Sequence, residues 1–196
     1  QGFLKSWKPA TMSRHKHLHS DARATYKTGR YIEAALQFRY AAQAAQDFGD
    51  RAACFTNTIW AAEAYTENGD CRAAMSLLLS ARVAEPPEAG GHERWLTRTL
   101  LLEVIKDTHP ERRQLEELLD ELRAFAQQNQ VPPGDTPLLE GTLFVLRGEW
   151  VKGLERNEVA WRDSNEFGYS RFEKAGNAAR CCLQLGQWTK AGDWVK

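Results

Sequence analysis

One feature restricts this chain more than any other: a glycine that returns at a near-constant interval, each time ahead of the same kind of segment. Gly29, Gly69, Gly148 and Gly186 are separated by 40, 79 and 38 residues, so one member of the series is missing near position 108. They introduce Gly29-Arg-Tyr31, Gly69-Asp-Cys71, Gly148-Glu-Trp150 and Gly186-Gln-Trp188, and five residues past each glycine stands Ala34, Ala74, Gly153 or Ala191. Around the first glycine, Tyr31, Ala34, Phe38 and Ala41 recur every three or four residues and share one stripe of a helix. Glycine can adopt the positive φ that ends the preceding helix and turns the chain. Each small residue lets two helix axes approach closely, near ~8 Å. A single such hairpin cannot bury both faces of its helices, so the pattern calls for a row of them.

In chain order, 1–12 reads as an extended leader, because Pro9 disfavours helix at Lys8. Hairpins are expected at about 13–48, 51–86, 92–129, 136–167 and 170–196, the first helix beginning near Ser13. Pro86-Pro87 closes the second hairpin, and 88–91 is a loop by composition. The third lacks its glycine, but Thr108-His-Pro-Glu111 has the form of a helix start with a capping box. Its second helix carries Leu115, Leu118, Leu119, Leu122 and Phe125 as a broad apolar stripe. Val131-Pro-Pro-Gly-Asp135 resembles a linker, and Ser170-Arg-Phe-Glu173 is a second capping box. The tenth helix is barely two turns long, so the chain reads as part of a longer protein. The alternative is that an apolar edge at Trp188 and Trp194 meets a partner or another copy of the chain.

Composition excludes several classes. The chain has 196 residues, 42% hydrophobic and 27% charged, which favours folded over disordered structure. Its 26 basic residues balance 26 acidic ones, so the electrostatic footprint of a nucleic-acid binder is absent. No apolar run approaches the ~20 residues that cross a bilayer. The four cysteines, 54, 71, 181 and 182, have neither Cys-x-x-Cys spacing nor an obvious disulfide frame. They read as buried small side chains in a reducing compartment, and the expected location is cytoplasmic.

The pattern resembles the tetratricopeptide repeat, in which a small residue of the first helix faces one of the second. The pairs here are Ala22 with Ala34, Ala62 with Ala74, Gly141 with Gly153, and Ala179 with Ala191. Tyr65 and Phe144 match the first-helix aromatic, Ala41, Ala81 and Ala160 the late alanine, and Pro86 the closing proline. The usual repeat is about 34 residues; this one, near 40, resembles the subclass of bacterial regulators, kinesin light chains and vesicle-fusion adaptors. The likeness implies an all-α, right-handed α-solenoid of about five antiparallel hairpins, whose first helices line a concave groove.

It also implies that this groove binds a peptide or partner protein. On that scheme Lys16, His19, Arg23, Tyr26 and Lys27 give a basic entrance. Thr56, Ile59, Glu63 and Glu67 follow as an acidic patch, with Glu173, Asn177 and Arg180 further on. The family's clamp for a terminal carboxylate is not reproduced, because His19, Arg23 and Trp60 stand where its lysines and asparagines belong. A regulatory or sensor module of a larger regulator or protease is the alternative reading. A nucleic-acid-binding helical repeat is a third, which the charge balance disfavours.

Chemistry finds little support in the residues. His15, His17 and His19 invite a metal, since His15 and His19 share a helix face, but no third ligand is evident and the pattern His-Glu-x-x-His is missing. The acidic run Glu116, Glu117, Asp120 and Glu121 lies among Arg112, Arg113 and Arg123 and reads as a surface of ion pairs. No phosphate-cradling loop or nucleophile elbow exists. The expectation is a binding protein with no cofactor and no enzymatic activity.

Overall fold

The computed structural model describes residues 8–107, 112–129, 131, 134–163 and 170–195. Among them the chain forms ten helices and no strand: α1 (Lys8–Lys27), α2 (Tyr31–Phe48), α3 (Arg51–Glu67), α4 (Cys71–Val83), α5 (Gly91–Asp107), α6 (Arg112–Gln128), α7 (Asp135–Arg147), α8 (Trp150–Asp163), α9 (Ser170–Gln184) and α10 (Trp188–Trp194). They divide into two compact units, residues 1–110 and 111–196.

Two sequence expectations change here. The first helix starts at Lys8, not near Ser13, and takes in part of the expected leader. Pro9 then falls in the first turn, where a missing N–H removes no intrahelical bond. The stretch expected as a third hairpin is shared out, α5 completing the first unit and α6 opening the second. The cap expected at 108–111 and the end of the eighth helix at Phe167 lie outside the described residues, and so do the side chains of the cap expected at 170–173.

In the first unit α1 pairs with α2 and α3 with α4, while α5 packs on α3 and α4. The hairpin turns follow from their glycines: Gly29 and Gly69 have φ of 77° and 79°. At the second turn Gly69 N–H donates to the Thr66 carbonyl and Asp70 N–H to that of Tyr65, which satisfies the end of α3. Asp50 and Asp70 then cap α3 and α4, their carboxylates accepting from Ala53 N–H at 2.9 Å and Ala73 N–H at 3.0 Å. Ala22, Ala34, Ala62 and Ala74 are fully buried at the helix contacts, as the repeat spacing requires. Nine residues past the turn glycines, Phe38 and Leu78 fill the interior, each burial contributing about 2–3 kcal/mol. α5 is fastened to the end of α4 by Arg94 and Arg98, which hold the two oxygens of Glu85 at 3.2 and 2.8 Å.

In the second unit α6 packs on α7, α7 pairs with α8, and α9 packs on α7, α8 and α10. The leucine stripe of α6 is buried, with Leu115, Leu118, Leu119 and Leu122 all inside. Its acidic side is laced with ion pairs, Arg113 to Glu117 at 2.8 Å and Arg147 of α7 to Glu116 at 3.3 Å. Gly141 and Gly153 take the places of the alanines. An added Cβ at Gly141 would overlap the amide of buried Asn157, and one at Gly153 would lie 3.2 Å from both Cys181 Sγ and Val145 Cγ2. Cys181 and Cys182 are buried here, whereas Cys54 and Cys71 are only half-buried, and all four are free thiols.

Candidate functional site

The first helices of the first two hairpins, α1 and α3, lie against each other. Most of the residues expected to bind a partner meet on this pair. Their centre is a residue not among them, Trp60. Its ring stacks on Phe38 at 5.7 Å between centroids, and Tyr26 and His19 meet it edge-on at 5.9 and 6.2 Å. The exposed Arg23 guanidinium lies 5.1 Å from its centroid, within reach of a cation–π attraction. Trp60 remains half-buried, so part of its surface meets solvent.

At one end of this face a cavity of about 280 Å³ is lined by His15, Lys16, His19, Asp50, Thr56 and Asn57, among others. The Asn57 amide N–H donates to the Ala53 carbonyl at 2.7 Å, so its oxygen faces His19 Nδ1 at 2.9 Å. His19 therefore donates through Nδ1, and its neutral form carries the free lone pair on Nε2. His15 turns inward: its ring is buried, with Nε2 3.5 Å from Asp50 Oδ2. Lys16 stays exposed at the rim.

At the other end the Tyr26 hydroxyl donates to Glu63 Oε1 at 3.3 Å. Burial pushes the Glu63 carboxyl up to about 7, and the neighbouring Glu67 adds to the rise, while the Tyr26 hydrogen bond and Arg23 oppose it. Burial likewise raises Glu67. The Tyr26 phenol is raised strongly, by burial first and then by Glu63 and Glu67. Neither glutamate has an ion-pair partner among the described residues. Lys27 is exposed in the last turn of α1, where its charge complements the helix dipole.

Of the other expected positions, Ile59 belongs to the core of the first unit, and Glu173, Asn177 and Arg180 belong to α9 of the second. Ile59 is fully buried, so its side chain offers no surface to a partner. Arg180 is exposed on α9 of the second unit, where neighbouring Asn177 donates to the Thr142 hydroxyl of α7 at 3.3 Å. Glu173 lies outside the described side chains. Among the described residues no three His, Cys, Asp or Glu side chains converge as a metal site would need. No described helix is long and apolar enough to cross a membrane.

Helical hairpins with small residues at their contacts, stacked so that first helices adjoin first helices, define a TPR-like repeat fold. Solved structures bear this out across nearly the whole chain. A Podosopora anserina kinesin light chain candidate, with nearly identical TPR-like repeats, matches with a TM-score of 0.62 at 18% identity, over 93% of this chain and 92% of that one. BtubC (BKLC) from P. vanneervenii matches at 0.65 and 13% identity, over 100% and 89%. The MamA RS-1 ArsTM double mutant matches at 0.57 and 13% identity, over 92% and 90%. These likenesses agree with the fold class expected from the sequence, an all-α solenoid of TPR-like repeats. No protein-family model matches the chain, nor does any curated protein sequence.

Proposed function

We propose that the chain is a protein-interaction module that receives an extended segment of a partner protein along the α1–α3 face. The observation that carries this reading is the pair Glu63 and Glu67, drawn partly out of water beside Tyr26, with Arg23 acting on Glu63 but no ion pair to either carboxylate among the described residues. Desolvating carboxylates costs stability, and structural packing alone gives no reason to retain two of them one helical turn apart. A lysine or arginine from the partner offsets that cost, and the half-buried Trp60 offers its neighbour an apolar surface. The exposed cations Lys16, Arg23 and Lys27 on α1 would hold acidic residues elsewhere on the same segment, so the ligand is of mixed charge. TPR-like neighbours support a protein-binding role in general terms.

The test is selection of peptides from a random display library on the full chain, followed by titration of the winners. Peptides with a basic residue beside an apolar one are expected, and Glu63→Gln with Glu67→Gln should weaken them at least tenfold. Arg23→Glu and Lys27→Glu should alter the preferred acidic positions. Peptides that bind all four variants as well as the parent would remove the groove from consideration. A steep fall of affinity with salt for single-stranded nucleic acid, with no peptide selected, would move the reading to phosphate recognition.

A further inference from the structure

The cavity between α1 and α3 has a balance of donors and acceptors that selects its occupant. It is built where the first repeat departs from the second. Forty residues past His15 and His19 stand Phe55 and Ile59, both buried apolar side chains of α3. Such residues serve packing, so two imidazoles in their places need another reason. His15 is 2% exposed, and neither of its ring nitrogens has a hydrogen bond among the described residues. Its ring lies against Phe48, with centroids 6.0 Å apart, and it lines the cavity together with His19 and Asp50.

The polar atoms around this cavity mostly accept. Asp50 gives Oδ1 to the α3 cap, which leaves Oδ2 beside His15 Nε2 at 3.5 Å. With that N–H turned toward the carboxylate, neutral His15 keeps a lone pair on Nδ1. His19 gives its Nδ1–H to Asn57, so its lone pair lies on Nε2. The Thr56 hydroxyl makes no hydrogen bond among the described residues, whereas Thr58 and Thr66 of the same helix bond back to carbonyls one turn earlier. Lys16, the cation of the lining, stays exposed at the rim.

Buried acceptors without donors cost stability, and several around one space call for a group that donates in several directions and accepts nothing. A guanidinium does this: it carries five N–H donors in one plane, has no acceptor, is weakly hydrated and stacks on aromatic rings. We propose that the cavity binds an arginine side chain of the partner, its guanidinium shared between Asp50 Oδ2 and the lone pairs of His15 and His19. A lysine ammonium is more strongly hydrated and so costs more to enclose. A carboxamide brings an oxygen that would face the carboxylate. Only the source of the arginine rests on the peptide reading above; the demand for a guanidinium comes from the cavity's own atoms.

The probe is N-acetyl-arginine methylamide, titrated into the full chain at about pH 8, where an ordinary imidazole is neutral. Side-chain NMR of labelled histidine and tyrosine reports where it lands. Saturable shifts are expected at His15 and His19, with none at Tyr26. The matching lysine and glutamine compounds should bind at least fivefold more weakly. Asp50→Asn should weaken the arginine compound at least fivefold while the thermal transition stays put, because asparagine caps a helix about as well as aspartate. Four results overturn the inference: no saturation, equal binding of either other compound, undiminished binding to Asp50→Asn, or shifts at Tyr26 without shifts at the two histidines. The last would seat the arginine beside Glu63 and leave the peptide reading standing. Saturation at the histidines with no peptide selected from the library would do the reverse, keeping the cavity and removing the extended segment.

Discussion

Nine residues past the turn glycine, the first unit has Phe38 and Leu78, and the second has Asn157. All three are fully buried. The apolar residues are accompanied by Ala22 and Ala62 on the facing helix, but Asn157 is accompanied by Gly141, where a methyl group would overlap its amide. The Asn157 amide N–H donates to the Gly153 carbonyl at 2.7 Å, one turn back on its own helix, and its oxygen has no hydrogen-bond partner among the described residues. The same site of the same repeat is thus filled in two ways. One relies on volume, the other on a polar group that needs a glycine opposite. The glycine at 141 is there for space and has nothing to do with a turn.

Three measurements press on this contrast, beginning with the largest effect. Phe38→Ala should cost about 3–5 kcal/mol, because the ring is fully enclosed and also supports Trp60. Denaturant unfolding should place that loss in the transition of the first unit, and a loss below about 1 kcal/mol would show that the site collapses around the gap. Gly141→Ala should cost about 1–3 kcal/mol by overpacking. Its cost should drop below about 0.5 kcal/mol when Asn157 is already alanine, since the two groups compete for one space. Additive costs would mean that the amide is not the obstacle.

The third measurement concerns pH and returns to the groove. Glu63 titrates near 7 in the folded chain against 4.5 for the unperturbed group, so the folded state holds its proton more tightly. Stability from this group is complete below about pH 4.5 and is lost as pH rises through about 7. Tyr26 and Arg23 on α1 and Glu67 on α3 are the groups that act on it. Replacing Glu63 with glutamine should narrow the stability difference between pH 5 and pH 8 by on the order of 1–2 kcal/mol. An unchanged slope in equilibrium unfolding would place the pH dependence elsewhere.

The repeat was legible from the sequence because its signals are local. A glycine ahead of each second helix and a small residue five positions later need no knowledge of distant contacts. The α6 stripe was legible for the same reason, since one face of that helix is leucine and the other charged. α3 was harder, because it packs on α1, α2, α4 and α5 and has no single apolar face to read. Ile59 and Trp60 are adjacent in the chain, and nothing in the spacing says that the first is fully buried and the second is half-exposed at the centre of an aromatic cluster. The start of α1 was hidden by Pro9, a residue that breaks a helix interior and is welcome in a first turn. The division of the expected third hairpin had a trace in the sequence, the glycine missing near 108.

The thiols have a consequence of their own. Cys54 and Cys71 belong to the first unit and are half-buried; Cys181 and Cys182 belong to the second and are enclosed, the Cys181 thiol pushed up to about 11 by burial. Alkylating reagents consume the thiolate, so they reach the first pair in the intact fold and the second only when its helices part. Each half of the molecule therefore carries its own chemical stopwatch, and the lag between early and late labelling records how long α9 stays seated.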